Sequence, residues 1–476
     1  MCGVFGIHSR DRDVARLAYF GLFALQHRGQ ESAGIAVWER GRVTALRDMG
    51  LVAQVFSEEK LRGLHGDVAI GHTRYSTTGS ARWANAQPLV QHGRARTVAI
   101  AHNGNLTNAA ELRRELADDG VKLGSTSDTE VIAALLARQE GSVEEATAHT
   151  MAQLEGAYSV VALAEGKLLG FRDPHGFRPL CLGRLDGDWV LASESCSLDL
   201  VGADLVRELA PGELVTVDGG DLEAFPAVPQ RRAARCIFEL VYLARPDSCL
   251  DGVEVHGTRV RMGERLAREA PATGDLVMPV PDSGTPAAIG FARASGIPFN
   301  EGLIKNRYVA RTFIEPDQYL REQGVRLKFN PLPDVSGRRV VVVDDSIVRG
   351  STMRQIVAML FEAGADEVHV RISCPAVVSP CFYGVDIADE SDLIAGHRTL
   401  EEVREHIGAS SLAYLSLEGL QDATSLPATA FCRACLTGSY PTSIPRRTPS
   451  KLSFERALVG AAGGVTPPAA PVRPRS

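Results

Sequence analysis

Arg339-Val340-Val341-Val342-Val343-Asp344-Asp345-Ser346-Ile347-Val348-Arg349-Gly350-Ser351-Thr352 reads as an apolar strand ending in two acids, then a short loop that opens a helix. Four consecutive valines suit a strand buried on both faces, as in a parallel sheet. Beyond the loop, Met353 to Ala363 has the period of an amphipathic helix stopped at Gly364, and Glu367-Val368-His369-Val370-Arg371-Ile372 reads as the next strand. Upstream, Leu276-Val277-Met278-Pro279-Val280 is a further buried run. Strands alternating with helices predict a mainly parallel sheet flanked by helices. Backbone N–H groups at the helix start, with the hydroxyls of Ser346, Ser351 and Thr352, make a cradle suited to phosphate. Asp344 and Asp345 stand where sugar hydroxyls or a magnesium ion could be held. No Gly-Lys-Ser/Thr follows, so this is not a Walker loop, and it is not a dinucleotide Gly-x-Gly-x-x-Gly. Standing alone, the stretch also fits an acidic strand end that merely caps a helix.

The first part of the chain has another texture. Short apolar runs such as Gly34-Ile35-Ala36-Val37-Trp38, Val98-Ala99-Ile100-Ala101 and Ser159-Val160-Val161-Ala162-Leu163 are separated by glycine turns. One helix is expected from Asn108, with Glu111 three positions on. Another is expected from Ser127, where Ser127-Asp128-Thr129-Glu130 spells a capping box. Stacked sheets flanked by helices follow. Pro226, Pro229 and Arg231-Arg232 mark a linker, and from about residue 446 the chain is rich in Pro, Ala, Gly and Arg. The expected organisation is a domain over 2–228, a second over 229–445, and a disordered tail over 446–476.

The 476 residues are 45% apolar, ordinary for a globular enzyme of two or three domains. A net charge of −7 makes no electrostatic case for a nucleic-acid partner. The N-terminus lacks the form of a secretory signal, and no window approaches the roughly 18 apolar residues of a membrane span, so a cytoplasmic location is the default. Nine thinly spread cysteines argue against a disulfide framework and for metal binding or catalysis by some of them.

Cys2 follows Met1, which is normally excised before a small residue. Its thiol and a free α-amine would then share one residue, and an α-amine, whose ordinary pKa is about 7.7–8.0, can accept the thiol proton. By position alone, Cys2 also simply begins a strand. Gly71-His72-Thr73-Arg74-Tyr75-Ser76-Thr77 puts a guanidinium and hydroxyls on one segment, as needed to grip an amino-acid carboxylate. His102-Asn103-Gly104-Asn105 follows a strand, where a turn would aim the Asn103 amide and the Gly104 N–H at an oxyanion. Asp128 suits a substrate α-ammonium, or only the dipole of its own helix. His72 and His102 are expected to be structural.

Together Cys2-Gly3-Val4-Phe5-Gly6-Ile7, Gln26-His27-Arg28-Gly29, Gly71 to Tyr75, Ala101 to Asn105 and Ser127 to Glu130 closely resemble the N-terminal-nucleophile glutamine amidotransferases, over about the first 220 residues. The resemblance implies a four-layer αββα domain. In it Cys2 attacks the glutamine amide, Asn103 and Gly104 form the oxyanion hole, and Arg74, Thr77 and Asp128 hold glutamine. The stretch Val340 to Thr352 resembles the type I phosphoribosyltransferase signature, which binds 5-phosphoribosyl-1-diphosphate. Pro279 to Gly284 looks like its diphosphate loop, and Lys305-Asn306-Arg307-Tyr308-Val309-Ala310-Arg311-Thr312-Phe313 like its closing loop. Ala310 stands where that family commonly has glycine. To about residue 445 the chain thus resembles the amidophosphoribosyltransferases, which make 5-phosphoribosylamine, glutamate and diphosphate at the opening of de novo purine synthesis. The resemblance assigns Asp344, Asp345, Ser346, Arg349, Gly350, Ser351, Thr352, Lys305, Arg307 and Arg311 to the phosphoribosyl substrate. It places one Mg2+ per subunit at Ser283, Asp344 and Asp345. It also implies a homotetramer inhibited by purine nucleotides.

Cys432-Arg433-Ala434-Cys435 is a C-x-x-C, and Cys236 and Cys381 lie in telling contexts. Four thiolates suit zinc or an iron–sulfur cluster alike, and spacing does not decide. The resemblance to the cluster-bearing branch implies one structural 4Fe–4S cluster held by Cys236, Cys381, Cys432 and Cys435. Two rival functions are another glutamine-dependent synthase, or a sensor that binds phosphoribosyl compounds or purine nucleotides without turnover.

Overall fold

The computed structural model describes residues 1–76, 79–306, 325–387 and 390–444. Thr77, Arg307, Arg311 and the expected tail lie outside the described residues.

The first part holds two antiparallel sheets. The seven-stranded sheet runs in the order Asp204–Glu208, Cys181–Leu185, Asp188–Ala192, Gly3–His8, Val68–Arg74, Ser32–Glu39, Arg42–Met49. The six-stranded one runs Asp221–Pro226, Glu213–Asp218, Lys167–Arg172, Gly156–Ala164, Thr97–Leu106, Leu89–His92. Side chains alternate along each strand, so each sheet has two apolar faces to bury. Val4, Ile70, Ala99, Ala101, Val161 and Leu163 fill the core between the sheets. Phe5, Ile7 and Ile35 face outward under helix Val14–Ala24. Val98, Ile100, Val160 and Ala162 face the helices Ala109–Asp118, Thr129–Arg138 and Val143–Gln153. The layering is helix, sheet, sheet, helix.

Both expected helix starts lie close to the observed ones, but the capping chemistry differs. Asn108 precedes helix Ala109–Asp118, yet its side chain donates to the Gln153 carbonyl at 2.9 Å and accepts from the Glu155 N–H at 3.0 Å. The second helix begins at Thr129, not at Ser127. Glu130 turns back to accept from the Gly124 and Ser125 N–H groups, at 2.8 and 2.7 Å, so no capping box forms. In both places partners outside the helix compete successfully with the local cap.

The second part is built on a parallel sheet ordered Leu276–Pro279, Arg339–Asp344, Glu367–Ile372, Ser411–Tyr414. The helix after the valine strand is Ser351–Glu362, two residues earlier at its start than the sequence suggests. Helices Val255–Glu269 and Thr285–Ser295 cross at two glycines. A Cβ on Gly263 would fall 1.8 Å from the Ala287 carbonyl oxygen, and one on Gly290 1.9 Å from that of Val260. Backbone meets backbone there, so nothing flexible can yield. Gly290→Ala is expected to cost about 3 kcal/mol by overpacking, read as a lower midpoint in chemical denaturation.

Candidate functional site

Cys2 leads into strand Gly3–His8, inside the seven-stranded sheet, and is buried. Its backbone N–H donates to Asn103 Oδ1 at 3.3 Å, and its thiol donates to the Tyr75 carbonyl at 3.5 Å. Burial raises the thiol pKa, while the adjacent terminal amine, the Tyr75 contact and Arg74 oppose the rise. Met1 is buried beside it, and burial lowers its α-amine to about 5.

Asn103 and Gly104 lie within strand Thr97–Leu106 and not in a turn after it, which corrects the expectation. With Oδ1 engaged by Cys2, the Asn103 Nδ2 is buried and has no hydrogen-bond partner among the described residues. Leaving such a donor unpaired costs about 1–3 kcal/mol, and it is available to an acceptor. Gly104 has φ +154°, and a Cβ there would lie 2.0 Å from the Ala157 carbonyl oxygen. Only glycine brings the backbone this close.

Arg74 is 2% exposed, with Nη1 3.3 Å from Glu31 Oε2 and 3.1 Å from the Ser80 carbonyl. Glu31 also accepts from the Ser76 N–H and hydroxyl, so it organises the whole segment, a role sequence reasoning missed. Asp128 makes no cap bond to its own helix. Its carboxylate instead accepts from the Leu106 N–H at 3.0 Å, on the strand that carries Asn103, which disfavours the helix-dipole explanation. His72 is fully buried with Nε2 at 3.1 Å from the His102 carbonyl, and burial lowers it to about 3.

In the second part, Asp344 ends the valine strand and Asp345 follows it. The Val280 N–H donates to the Val343 carbonyl at 2.9 Å, and a Cβ on Gly284 would lie 2.5 Å from the same oxygen. Loop Val280–Gly284 is thereby pressed onto the strand end. Ser346 donates to Asp345 at 2.6 Å, and Ser283 lies near enough to this carboxylate to oppose the rise in its pKa. Burial pushes both acids above the ordinary range, and for Asp344 the neighbouring Asp345 adds to it. A cation or hydroxyl donors would relieve that cost, so the pair fits magnesium and a sugar. Gly350, at φ +77°, caps helix Ser351–Glu362 and leaves Ser351 and Thr352 exposed. Lys305 pairs with Asp282 at 2.5 Å, and Arg349 with Asp392 at 2.6 Å. These residues gather at the carboxyl ends of parallel strands, the usual ligand face of such a sheet.

Cys236 stands in register with Cys432 in a short parallel pair, Arg235–Cys236 with Phe431–Cys432. Burial raises the Cys236 thiol to about 11, with Arg178 opposing and a Cys381 thiolate adding to the rise. Cys435 is raised by burial, then by Cys236 and Cys381. Cys236, Cys432 and Cys435 thus each feel other thiols of the set, all four are unbridged, and thiolates are the soft donors that iron–sulfur or zinc groups take. Among the described residues, no three His, Cys, Asp or Glu side chains stand as a ready metal-holding group.

Sequence reasoning also missed the join between the parts. Arg28, buried, pairs with Glu194 and, at 2.7 Å, with Glu239. Arg178, also buried, reaches Glu239 at 3.3 Å and donates to the Tyr383 carbonyl. The Gln26-His27-Arg28-Gly29 motif signalled this region, but gave no hint of its partners.

A buried thiol beside an empty-handed amide, joined to an acid-ended strand with a hydroxyl-lined loop, defines a glutamine amidotransferase domain coupled to a phosphoribosyltransferase domain. Residues 72–199 match the glutamine amidotransferase domain family, and 261–377 the phosphoribosyl transferase domain family. The chain is 51% identical over 467 residues to the amidophosphoribosyltransferase of Synechococcus elongatus, covering 95% of this chain and 94% of that one. It belongs to the amidophosphoribosyltransferase family, and is therefore a transferase. The solved B. subtilis glutamine phosphoribosylpyrophosphate amidotransferase, complexed with ADP and GMP, matches with a TM-score of 0.88 at 43% identity, over 94% of this chain and 99% of that chain. A second solved structure, described as the allosteric regulatory enzyme of purine biosynthesis, matches at 0.89 and 44%, over 94% and 97%. Among the described residues no helix is long and apolar enough to cross a membrane.

Proposed function

We propose that the chain carries out its family's reaction, the first step of purine biosynthesis, with Cys2 as the glutaminase nucleophile after removal of Met1. The α-amine of Cys2 takes the thiol proton, and the sulfur attacks the side-chain carbonyl of glutamine. The oxyanion that forms is held by Asn103 Nδ2 and the Gly104 N–H. The adduct collapses with the proton returned to the departing nitrogen, so ammonia leaves, and water then cleaves the thioester to glutamate. Arg74 and Thr77 hold the glutamine carboxylate, and Asp128 its ammonium. The observation that carries this reading is the buried, unpartnered Asn103 Nδ2 on the residue hydrogen-bonded to Cys2.

In the acceptor half, Ser346, Gly350, Ser351 and Thr352 cradle the 5-phosphate, and Asp344 and Asp345 hold the ribose hydroxyls. Lys305, Arg307, Arg311 and Arg349 offset phosphate and diphosphate charge. Ammonia bonds to the anomeric carbon as the diphosphate departs, and positioning does most of the work. Ser283, Asp344 and Asp345 would hold Mg2+, which when bound offsets diphosphate charge. Cys236, Cys381, Cys432 and Cys435 would hold a 4Fe–4S cluster with a structural role. A cytoplasmic homotetramer inhibited by purine nucleotides completes the reading; the B. subtilis relative, solved with ADP and GMP, supports the last element.

Glutamate release from glutamine should be strongly stimulated by 5-phosphoribosyl-1-diphosphate with Mg2+; absence of stimulation overturns the reading. Mass spectrometry of active enzyme should find Cys2 as the first residue. Asn103→Ala is expected to lower kcat for glutamine hydrolysis about 100-fold or more, as loss of one oxyanion donor does. Anaerobically purified protein should contain iron and acid-labile sulfide. Colourless protein carrying zinc would overturn the cluster.

A further inference from the structure

One segment of the second domain touches the glutaminase half at every residue from Phe382 to Asp386 but one. The Phe382 carbonyl accepts from Asn105 Nδ2 at 3.0 Å. The Tyr383 carbonyl accepts from Arg178 Nε and Nη2 at 2.8 and 2.5 Å, and its ring stacks on Phe177 at 4.1 Å between centroids. Asp386 accepts from the Tyr75 hydroxyl at 3.3 Å. Between these anchors Gly384, at φ +100°, lies so close to Gly104 that a Cβ on it would stand 3.0 Å from the Gly104 carbonyl carbon and oxygen.

Gly104 is therefore gripped from two sides. Ala157 approaches from within its own domain and Gly384 from the other. Tyr75 carries the same segment's influence to the nucleophile, because its carbonyl accepts from the Cys2 thiol while its hydroxyl bonds Asp386.

We propose that Gly384 is a positioning residue for glutamine hydrolysis: through it the acceptor domain forms the back wall that sets Gly104 and, with it, the oxyanion seat. This rests on the assignment of Asn103 and Gly104 to that seat. Gly384 touches no substrate atom; it acts through the Gly104 backbone. A Cβ at 3.0 Å forces a displacement of a few tenths of an ångström, and φ +100° disfavours alanine itself, so the wall must move. An oxyanion seat tolerates little displacement, because the rate depends on donor placement where charge develops.

The test is Gly384→Ala in the full-length holoenzyme. Glutamine-dependent kcat is expected to fall about 10- to 100-fold, with the glutamine KM, glutamate affinity and ammonia-dependent synthesis close to those of the parent. Glutamate γ-semialdehyde adds the Cys2 thiol and puts its hemithioacetal oxygen in the seat, so its affinity should fall by the same factor as kcat/KM. Asn105→Ala, which removes the donor to Phe382, should give the same signature at smaller amplitude, and decides the matter if Gly384→Ala does not fold. Unchanged kcat and aldehyde affinity in these variants overturn the proposal. So do parallel losses of aldehyde and glutamate affinity, or of the glutamine- and ammonia-dependent rates, since general disruption would produce those. Asn103→Ala is measured alongside: if it leaves aldehyde affinity intact, the oxyanion assignment fails first and the proposal falls with it.

Discussion

Cys2→Ala is expected to lower glutamine-dependent synthesis of 5-phosphoribosylamine by about 10,000-fold or more while leaving synthesis from ammonia within severalfold of the parent. Loss of a covalent nucleophile is among the most damaging single changes an enzyme undergoes, because no alternative route through the thioester remains. The acceptor half needs only ammonia, and Asp344, with Asp345 next to it, ends a strand of a separate sheet from that of Gly3–His8. The check is a paired assay with glutamine or with ammonium chloride at elevated pH. Equal losses on both nitrogen sources would place Cys2 outside hydrolysis. Substantial retained glutaminase activity would remove it as nucleophile.

Arg28→Met should lower the unfolding free energy by about 3–5 kcal/mol at pH 7, the range for stripping one partner from a buried ion pair. Burial would raise the Glu194 pKa, but Arg28 and then His27 hold it well below the ordinary carboxylate range. Its folded-state pKa is depressed, so its stabilisation is complete above the unfolded value of about 4.3 and fades as pH falls below it. In Arg28→Met the close pairs left to these carboxylates among the described residues are Glu194 with His27, at 2.7 Å, and Glu239 with Arg178, at 3.3 Å. Burial then dominates and favours protonation. Parent and variant should therefore differ most near neutrality, the difference narrowing as pH falls toward 4 and vanishing only near the depressed folded value of Glu194. Denaturant unfolding at pH 7 and pH 4 measures both values, and a pH-independent difference would contradict the electrostatic account. Since Glu239 belongs to the second part, the variant should also loosen the join that brings Tyr383 to Arg178.

Much of the fold was legible because its signals are local. Val340 to Val343 announce a buried parallel strand through an unbroken β-branched run, and the loop with Gly350 announces the helix that follows. Alternation in Val98-Ala99-Ile100-Ala101 is legible in the same way: the small residues at 99 and 101 meet the facing sheet, and the larger ones at 98 and 100 meet helices. The capping reading of Ser127 to Glu130 failed for a physical reason. A carboxylate offered two loop N–H groups five and six residues away does better than one bonding its own helix start.

The candidate site divides along the same line. Cys2, Asn103, Arg74 and Asp344 are visible as residue types in a suggestive order. Sequence alone could not tell whether Asp128 serves its helix or a ligand, and only the 3.0 Å bond from the Leu106 N–H turns its carboxylate toward the strand of Asn103. Glu31, which holds Arg74 and Ser76, sits in no recognisable motif.

By itself, then, the sequence determined the two domain types and the valine strand with its acid end, because periodicity and short motifs act over a few residues. The tertiary structure alone decided that Asn103 lies within a strand with its Nδ2 unspent, that Arg28 bridges to a carboxylate 211 positions away, and that Phe382 meets Asn105 across 277. Contacts at such separations leave no local trace, since they depend on how two independently patterned cores come to rest against each other.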